Sequence, residues 1–541
     1  MRKVVILAIN AKYVHSSLPA WVLAGAVSRY ARISHDVKVV EGTINQDTDD
    51  IAGQVIAHQP DVVGVSTYIW NAGMLPGLLR TLRERLPKAA LVLGGPEASH
   101  NAEYWLEYAD YVLCGEGEQG FPALLDMLSG CEVLAPIPGL CYKCDGKTIF
   151  YPQAPAPGDP IDPYTADYFS ALGGRIAYIE TSRGCPFRCA FCLSGGSSVR
   201  FFPLAAAKDQ LCRLAGAGAR TIKLVDRTFN CNPERACELL AYMIGLDTDC
   251  RFHCEVAPDL FDARTLALLQ TAPPGRIQLE AGLQSFFEPA LRAACRQTDL
   301  EKAQANIRAL VNGGNIHLHL DLIAGLPHET LPDFMSSFDR AYALGAHTLQ
   351  LGFLKMLYGS ALREQGWEIA YARRPPYEIT SSRWLSAQDL QLLKQTENAL
   401  RQTYNKGRFL ATLRYALSVS GLRPFSLYRM LGEAAPGHAT ALEAYAQQVY
   451  ACLLDLPGVR PELLQSHMIC DWLSMVKGAN MPGFLKIHDR RREEVAAKAS
   501  LLLGRKISRS EAAVLPSGKG VFVDGHSRDP VTGLYQLHFA E

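Results

Sequence analysis

The sequence predicts an α/β protein in three parts: an amino-terminal Rossmann-like parallel-sheet domain, a partial (β/α)6 barrel, and a mostly helical carboxyl-terminal domain. Three observations predict it. Short β-branched runs alternate with helix-length segments from the start of the chain; the same alternation resumes after a proline-rich break; and beyond about residue 366 helical periodicity takes over. These shifts set the expected boundaries at 1–145, a linker at 146–170, a barrel at 171–365 and a final domain at 366–541.

In the first part, strands are expected at 4–9, 37–40, 62–66, 90–93 and 111–113, with helices at 18–30, 51–58, 74–86 and 121–128. Strands separated by helices need crossover connections, and these build a parallel sheet. The third, fourth and fifth strands run into Ser66-Thr67, Gly94-Gly95-Pro96 and Gly115-Glu116-Gly117. Open α/β sheets bind ligands beyond the carboxyl ends of their strands, where glycine lets a backbone approach closely. Any one of these glycines reads equally as a tight turn, but three at corresponding strand ends point to a ligand. Neither GxGxxG nor a Walker loop is present, which argues against a dinucleotide or ATP.

Residues 151–163, YPQAPAPGDPIDP, hold five prolines and read as a semi-rigid spacer. Six strands then follow, at 176–179, 221–225, 251–256, 277–279, 317–323 and 348–353, with helices at 204–215, 234–244, 263–269, 300–312 and 331–344. A barrel of this kind places its chemistry at the carboxyl ends of the strands. Directly after the first of them comes Cys185-Pro-Phe-Arg-Cys189-Ala-Phe-Cys192. Three thiols within eight residues suggest a metal cluster, yet a structural zinc site takes four ligands and the local count stops at three. The alternative is a zinc knuckle short of one ligand, or three reduced thiols. Cys141-Tyr-Lys-Cys144 is a second tight pair with no matching partner pair nearby, and reads as two ordinary thiols.

The C-x3-C-x2-C spacing resembles the radical S-adenosylmethionine (SAM) superfamily. The set Ser66-Thr67, Leu93-Gly94-Gly95-Pro96 and Gly115-Glu116-Gly117-Glu118 looks like the cobalamin-binding domain that precedes many radical SAM domains. The resemblance implies a [4Fe-4S] cluster on Cys185, Cys189 and Cys192, with SAM on the open iron. It implies adenine contact by Phe191, SAM contacts by Glu255 and Gln284, and cobalamin held by Ser66, Thr67, Tyr68, Trp70, Asn71, Gly94, Gly95, Pro96, Gly115, Glu116 and Gly117. In such enzymes reductive cleavage of SAM gives a 5′-deoxyadenosyl radical that abstracts hydrogen from an unactivated carbon, and methylcobalamin delivers a methyl group. Asp226 to Asn230, Glu280 and Asp321 also resemble strand-end segments of this group. The D-x-H-x-x-G motif of methionine-synthase-type cobalamin domains is absent. His15 is the only histidine near the end of the first strand and reads either as a loop hydrogen-bonder or as a ligand; shielding of the lower cobalt face by the 68–71 loop is the preferred expectation. No Gly-Gly-Glu motif for the SAM ammonium is recognisable.

The resemblance therefore implies a cobalamin-dependent radical SAM enzyme, with methyl transfer to a small-molecule, lipid or peptide carbon as the leading expectation. Oxidation, cyclisation or rearrangement without methyl transfer is the alternative, and a non-catalytic cobalamin sensor is the alternative of another class. An electron donor such as flavodoxin or ferredoxin is an expected partner. Lysine plus arginine and aspartate plus glutamate balance at 54 each, so nothing marks a nucleic-acid binder, and Arg490-Arg491-Arg492, flanked by acids, reads as a solvated helix face. The apolar run at 4–9 is too short for a signal segment or membrane span, and fifteen cysteines without a signal peptide suggest reduced thiols in the cytoplasm.

Overall fold

The computed structural model describes all residues except 133–134, 154–159, 435–440, 477–479, 488 and 541. Most of the proline-rich spacer thus lies outside the described residues. The chain forms two compact units, Met1–Glu255 with Lys355–Ile379, and Val256–Leu354 with Thr380–Glu541.

The first unit begins with strands β1 (Lys3–Asn10), β2 (Asp36–Thr43), β3 (Val62–Ser66), β4 (Ala90–Gly94) and β5 (Tyr111–Leu113), all parallel, in the order 2-1-3-4-5. The run in β1 is apolar throughout because both faces are covered. Val5, Leu7 and Ile9 pack with the helices Thr48–Ile56 and Leu75–Arg85, whereas Val4, Ile6 and Ala8 pack with Leu18–Tyr30 and Gly117–Leu128. Two further strands, β6 (Leu140–Cys144) and β7 (Lys147–Phe150), extend the sheet antiparallel. These two strands are additional to the expected set, although Asp145-Gly146 carries their signal: both take positive φ, 49° and 74°, as a two-residue hairpin turn requires. Strand alternation separates Cys141 from Cys144. Cys141 is buried beside Cys114 while Cys144 is exposed, which agrees with two ordinary thiols.

The same unit continues with β8 (Ala177–Ile179), an antiparallel hairpin of β9 (Ser182–Cys185) and β10 (Ser197–Phe201), and the parallel strands β11 (Thr221–Leu224) and β12 (Arg251–Val256), β11 pairing with both β8 and β12. In the second unit β13 (Ile277–Gln284), β14 (His317–Ala324) and β15 (Thr348–Phe353) form a parallel set. All six expected barrel strands are thus present; the β9–β10 hairpin was not foreseen.

Beyond residue 386 the second unit is mostly helical, as expected, with helices at Ala387–Gln402, Leu410–Ser420, Pro424–Ala434, Leu442–Leu454, Pro461–Met475 and Arg491–Leu503. The expected terminal hairpin is a three-stranded antiparallel sheet of Ala512–Val514, Gly520–Arg528 and Tyr535–Ala540. Arg491 pairs with Asp489, and Arg492 donates to the Ala512 and Arg509 carbonyls, so these two arginines serve internal contacts. No helix among the described residues is long and apolar enough to cross a membrane.

Candidate cofactor sites

The cysteine segment begins at the last residue of β9 and forms the connection to β10. Its root is fixed by Asp226, two residues past β11, which accepts hydrogen bonds from the Thr181 amide (3.0 Å), the Thr181 hydroxyl (2.8 Å) and the Ser182 hydroxyl. Within the segment the Cys185 amide donates to Ser197 Oγ at 3.1 Å, Cys192 N–H to the Cys189 carbonyl at 3.0 Å, and Gly196 N–H to the Phe187 carbonyl at 2.7 Å. Gly184 has φ 105°, and a Cβ there would stand 2.3 Å from the Ser198 carbonyl oxygen, so the facing strand demands glycine immediately before the first cysteine.

Cys185 and Cys189 are buried and Cys192 is half-buried. Burial pushes the Cys192 thiol up; the Ser194 amide, 3.4 Å from its sulfur, and Arg227 pull it down, and Cys189 and Cys185 push it up again. Among the described residues no three His, Cys, Asp or Glu side chains stand gathered as a ready metal constellation. What fits an iron–sulfur cluster is the donor set itself: three cysteines, none in a disulfide, on one hydrogen-bonded loop.

The strand order 2-1-3-4-5 has its topological switch point between β1 and β3, where this class of sheet binds ligands. The loop after β3 closes over that point. Trp70 Nε1 and Asn71 Nδ2 both donate to the Ile9 carbonyl at the end of β1, at 3.0 and 3.2 Å, and Asn71 also reaches the Ser66 carbonyl at 3.0 Å. Tyr68 stacks on Trp70 with ring centres 4.2 Å apart, and Trp70 remains 44 % exposed. Burial raises the Tyr68 hydroxyl to about 12, so it is a neutral donor at physiological pH.

Thr67 ties this loop to the next. Its amide and hydroxyl both donate to the Gly94 carbonyl, at 2.7 and 2.8 Å, and its oxygen accepts from Ala98 N–H at 2.8 Å. Gly95 has φ 98°, and a Cβ there would lie 2.6 Å from the Thr67 carbonyl oxygen, which is why these two turns can meet. Pro96 opens the helix Pro96–His100. Gly115 (φ 83°) donates its amide to Ser99 Oγ at 3.0 Å, and Gly117 begins the helix Gly117–Leu128. The three strand-end loops therefore form one interlocked rim in which Thr67 and Asn71 hold backbone and Trp70 offers an exposed aromatic edge.

His15 is engaged elsewhere: its Nδ1 lies 2.6 Å from the Tyr178 hydroxyl, and burial lowers its pKa. Of the residues expected to contact SAM, Phe191 sits half-buried between Cys189 and Cys192. Glu255 pairs with Lys223 Nζ at 3.3 Å. Gln284, in the second unit, has φ 69° at an irregularity in the β13–β14 register. Behind it Glu329 is fully buried and accepts from the hydroxyls of Ser285 (2.5 Å) and Ser337 (3.2 Å), with burial pushing its carboxyl up to about 7.

Four contacts were invisible in the sequence. The segment Lys355–Ile379 rejoins the first unit: Leu362 N–H donates to the carbonyl of Ala190, between the second and third cysteines, at 2.8 Å, and the Tyr377 hydroxyl donates to Glu97 Oε1, at the end of the Gly94-Gly95-Pro96 turn, at 2.5 Å. Arg183 and Arg200 form ion pairs with Glu116. No local motif marks these residues; charged residues either side of the cysteines were the only available hint.

Comparison with known proteins gives the class. Residues 4–125 match the B12 binding domain, 179–341 the Radical SAM superfamily, and 365–511 a protein of unknown function (DUF4080). The chain thus has the domain set of cobalamin-binding radical SAM proteins that carry this carboxyl-terminal domain. It is 31 % identical over 226 residues to the "Uncharacterized methyltransferase PH0819" of Pyrococcus horikoshii, covering 38 % of this chain and 49 % of that protein. To the "Cobalamin-dependent radical SAM methyltransferase TokK" of Streptomyces tokunonensis it is 25 % identical, covering 53 % of this chain and 46 % of the other. To an "Anaerobic magnesium-protoporphyrin IX monomethyl ester cyclase" of Rubrivivax gelatinosus it is 24 % identical, covering 60 % and 61 %. The matches to the two methyltransferases span about half the length of those relatives. The solved structure of the "Cobalamin-dependent S-adenosylmethionine radical enzyme OxsB" shares the fold, with TM-score 0.59 at 14 % identity over 93 % of this chain and 81 % of that one.

Proposed function

We propose that this chain is a cobalamin-dependent radical SAM methyltransferase acting on an unactivated carbon of a small molecule, with lipids and peptides as further substrate classes. In this reading Cys185, Cys189 and Cys192 hold a [4Fe-4S] cluster. Phe191, Glu255 and Gln284 contact SAM, and the rim of Ser66, Thr67, Tyr68, Trp70, Asn71, Gly94, Gly95, Pro96, Gly115, Glu116 and Gly117 holds cobalamin. Bound together, these groups supply reductive cleavage of SAM and delivery of a methyl group, with a flavodoxin or ferredoxin as electron source.

The observation that carries this reading is that the three-thiol loop and the interlocked rim belong to one compact unit. The protein's own part is placement and shielding. Asp226 and Gly184 fix the root of the cysteine loop, the Ser194 amide donates to a thiol sulfur, and Trp70 presents an aromatic surface over the switch point. Exclusion of water and stray hydrogen donors protects radical chemistry from quenching.

The test is anaerobic reconstitution with iron, sulfide and hydroxocobalamin, followed by product analysis with SAM carrying a deuterated methyl group on metabolite extracts. Binding of four irons and one corrinoid, 5′-deoxyadenosine formation, and one labelled methyl in a product are expected. The variant Cys185→Ala/Cys189→Ala/Cys192→Ala is expected to form no 5′-deoxyadenosine while still binding corrinoid. A cyclised or oxidised product without the label would replace methyl transfer by the alternative radical outcome, for which the cyclase similarity speaks.

A further inference from the structure

Two arginines on the strands that frame the cysteine loop reach the loop after β5. Arg183 Nη1 lies 3.1 Å from Glu116 Oε2 and 2.7 Å from Glu118 Oε1, while its Nε and Nη2 donate to Glu180 at 2.9 and 2.7 Å. Arg200 Nη2 is shared between the two Glu116 oxygens at 3.0 and 2.9 Å. Arg183 and Arg200 are register partners in the β9–β10 hairpin, and both guanidiniums stand near the Phe202 ring, 5.9 and 5.8 Å from its centre. Their side chains are only 27 % and 28 % exposed, and that of Glu116 is 29 % exposed, so water screens the pairs incompletely.

Glu116 stands between two glycines, one of them at φ 83°, in a turn that Ser99 Oγ also holds by accepting from the Gly115 amide, with the Gln153 side chain close against Gly115. Its carboxylate is the charged tether that ties this turn to the β9–β10 hairpin. At the other end of the same hairpin, Cys185 is two residues from Arg183, and Ser197, which accepts from the Cys185 amide, is three residues from Arg200. One short antiparallel pair thus carries thiols at its tip and, at its base, the cations that grip the Gly115–Gly117 turn.

We propose that Arg183 and Arg200 are positioning residues that couple the corrinoid and cluster sites: ordering the cysteine loop steadies the hairpin, which fixes Glu116 and the turn that meets the corrinoid. This rests on the functional reading above. Binding linkage is reciprocal, so cluster loading and corrinoid affinity must favour each other by the same factor.

The experiment titrates hydroxocobalamin anaerobically into full-length protein, first iron-free and then with the cluster reconstituted, and reads the ratio of the two Kd values. In the wild type the cluster is expected to tighten corrinoid binding about fivefold or more. In Arg200→Met the ratio is expected to fall to about one with cluster iron unchanged, and in Arg200→Lys, which keeps the charge but loses the planar fork, to be partly restored. Glu118→Gln, which loosens Arg183 alone, is a second and milder variant should Arg200→Met fail to fold. A merely structural arginine would lower both affinities alike and leave the ratio untouched. A wild-type ratio of one, or variants that keep the wild-type ratio, overturns the coupling alone; no corrinoid binding in either state overturns the functional reading and the coupling together.

Discussion

Thr181 gives both its amide and its hydroxyl to the buried carboxylate of Asp226, joining the exit of β8 to the exit of β11 immediately before the cysteine loop. Removing a buried acceptor leaves its donors unpaired, which costs on the order of 2–4 kcal/mol for a network of this size. Asp226→Ala is expected to lower the thermal unfolding midpoint and to reduce iron bound per chain after reconstitution. Scanning calorimetry and an iron assay read the two effects, and full iron uptake would show that the cysteine loop keeps its root without this residue.

The glycines of the loop are expected to differ sharply. A Cβ at Gly184 meets the Ser198 carbonyl at 2.3 Å with φ at 105°, whereas one at Gly195 meets the Cys189 carbonyl at a tolerable 3.1 Å. Gly184→Ala should therefore abolish cluster uptake, and Gly195→Ala should diminish it only modestly. Low-temperature electron paramagnetic resonance of the reduced proteins checks the order.

Glu329 predicts a pH dependence. The folded carboxyl stays protonated up to about pH 7, against 4.5 for an ordinary glutamate, because burial outweighs the hydrogen bonds from Ser285 and Ser337. The folded state therefore holds the extra proton between these values. Its contribution is complete below pH 4.5 and is lost as pH rises through 7, a change of about 3 kcal/mol at most. Thermal unfolding at pH 5 and pH 8 should show a larger drop in the wild type than in Glu329→Gln, which cannot ionise; equal drops would remove Glu329 as the cause.

Trp70 bonds to the Ile9 carbonyl across the switch point, so no histidine is expected to ligate cobalt, although the Nδ1 contact of His15 with Tyr178 would itself leave Nε2 for a metal. His15→Ala should leave the paramagnetic resonance spectrum of bound cob(II)alamin unchanged and free of nitrogen coupling from the protein. A nitrogen splitting that vanishes in this variant would assign His15 as the ligand.

The parts of the fold legible in the sequence were those whose cause is local. The all-apolar β1 announces a strand covered on both faces, and the spacing of Cys185, Cys189 and Cys192 is visible without any partner. The β9–β10 hairpin is not legible because its pairing closes across the whole cysteine loop, so Pro186 and Gly195-Gly196 beside its strands mark no tight turn joining them. The β6–β7 hairpin does carry a turn signal in Asp145-Gly146, masked by the cysteine pair just before it. Arg200 and Glu116 lie 84 residues apart, and Tyr377 and Glu97 lie 280 apart; partners at such separations are chosen by the finished fold. For the same reason Glu116 could be read as part of a cofactor-binding strand-end turn but not as the partner of two guanidiniums.

The return of Lys355–Ile379 to the first unit bears on how this protein can be recombined. A chimera joined at residue 366, the seam suggested by composition, would keep Leu362 and its bond to Ala190 but exchange Tyr377 for a stranger facing Glu97. Swaps of the carboxyl-terminal region between relatives would succeed more often with the crossover moved past residue 379, so that each donor brings its own matched strap. The unit of inheritance that exchanges cleanly is thus longer than the unit that composition delimits.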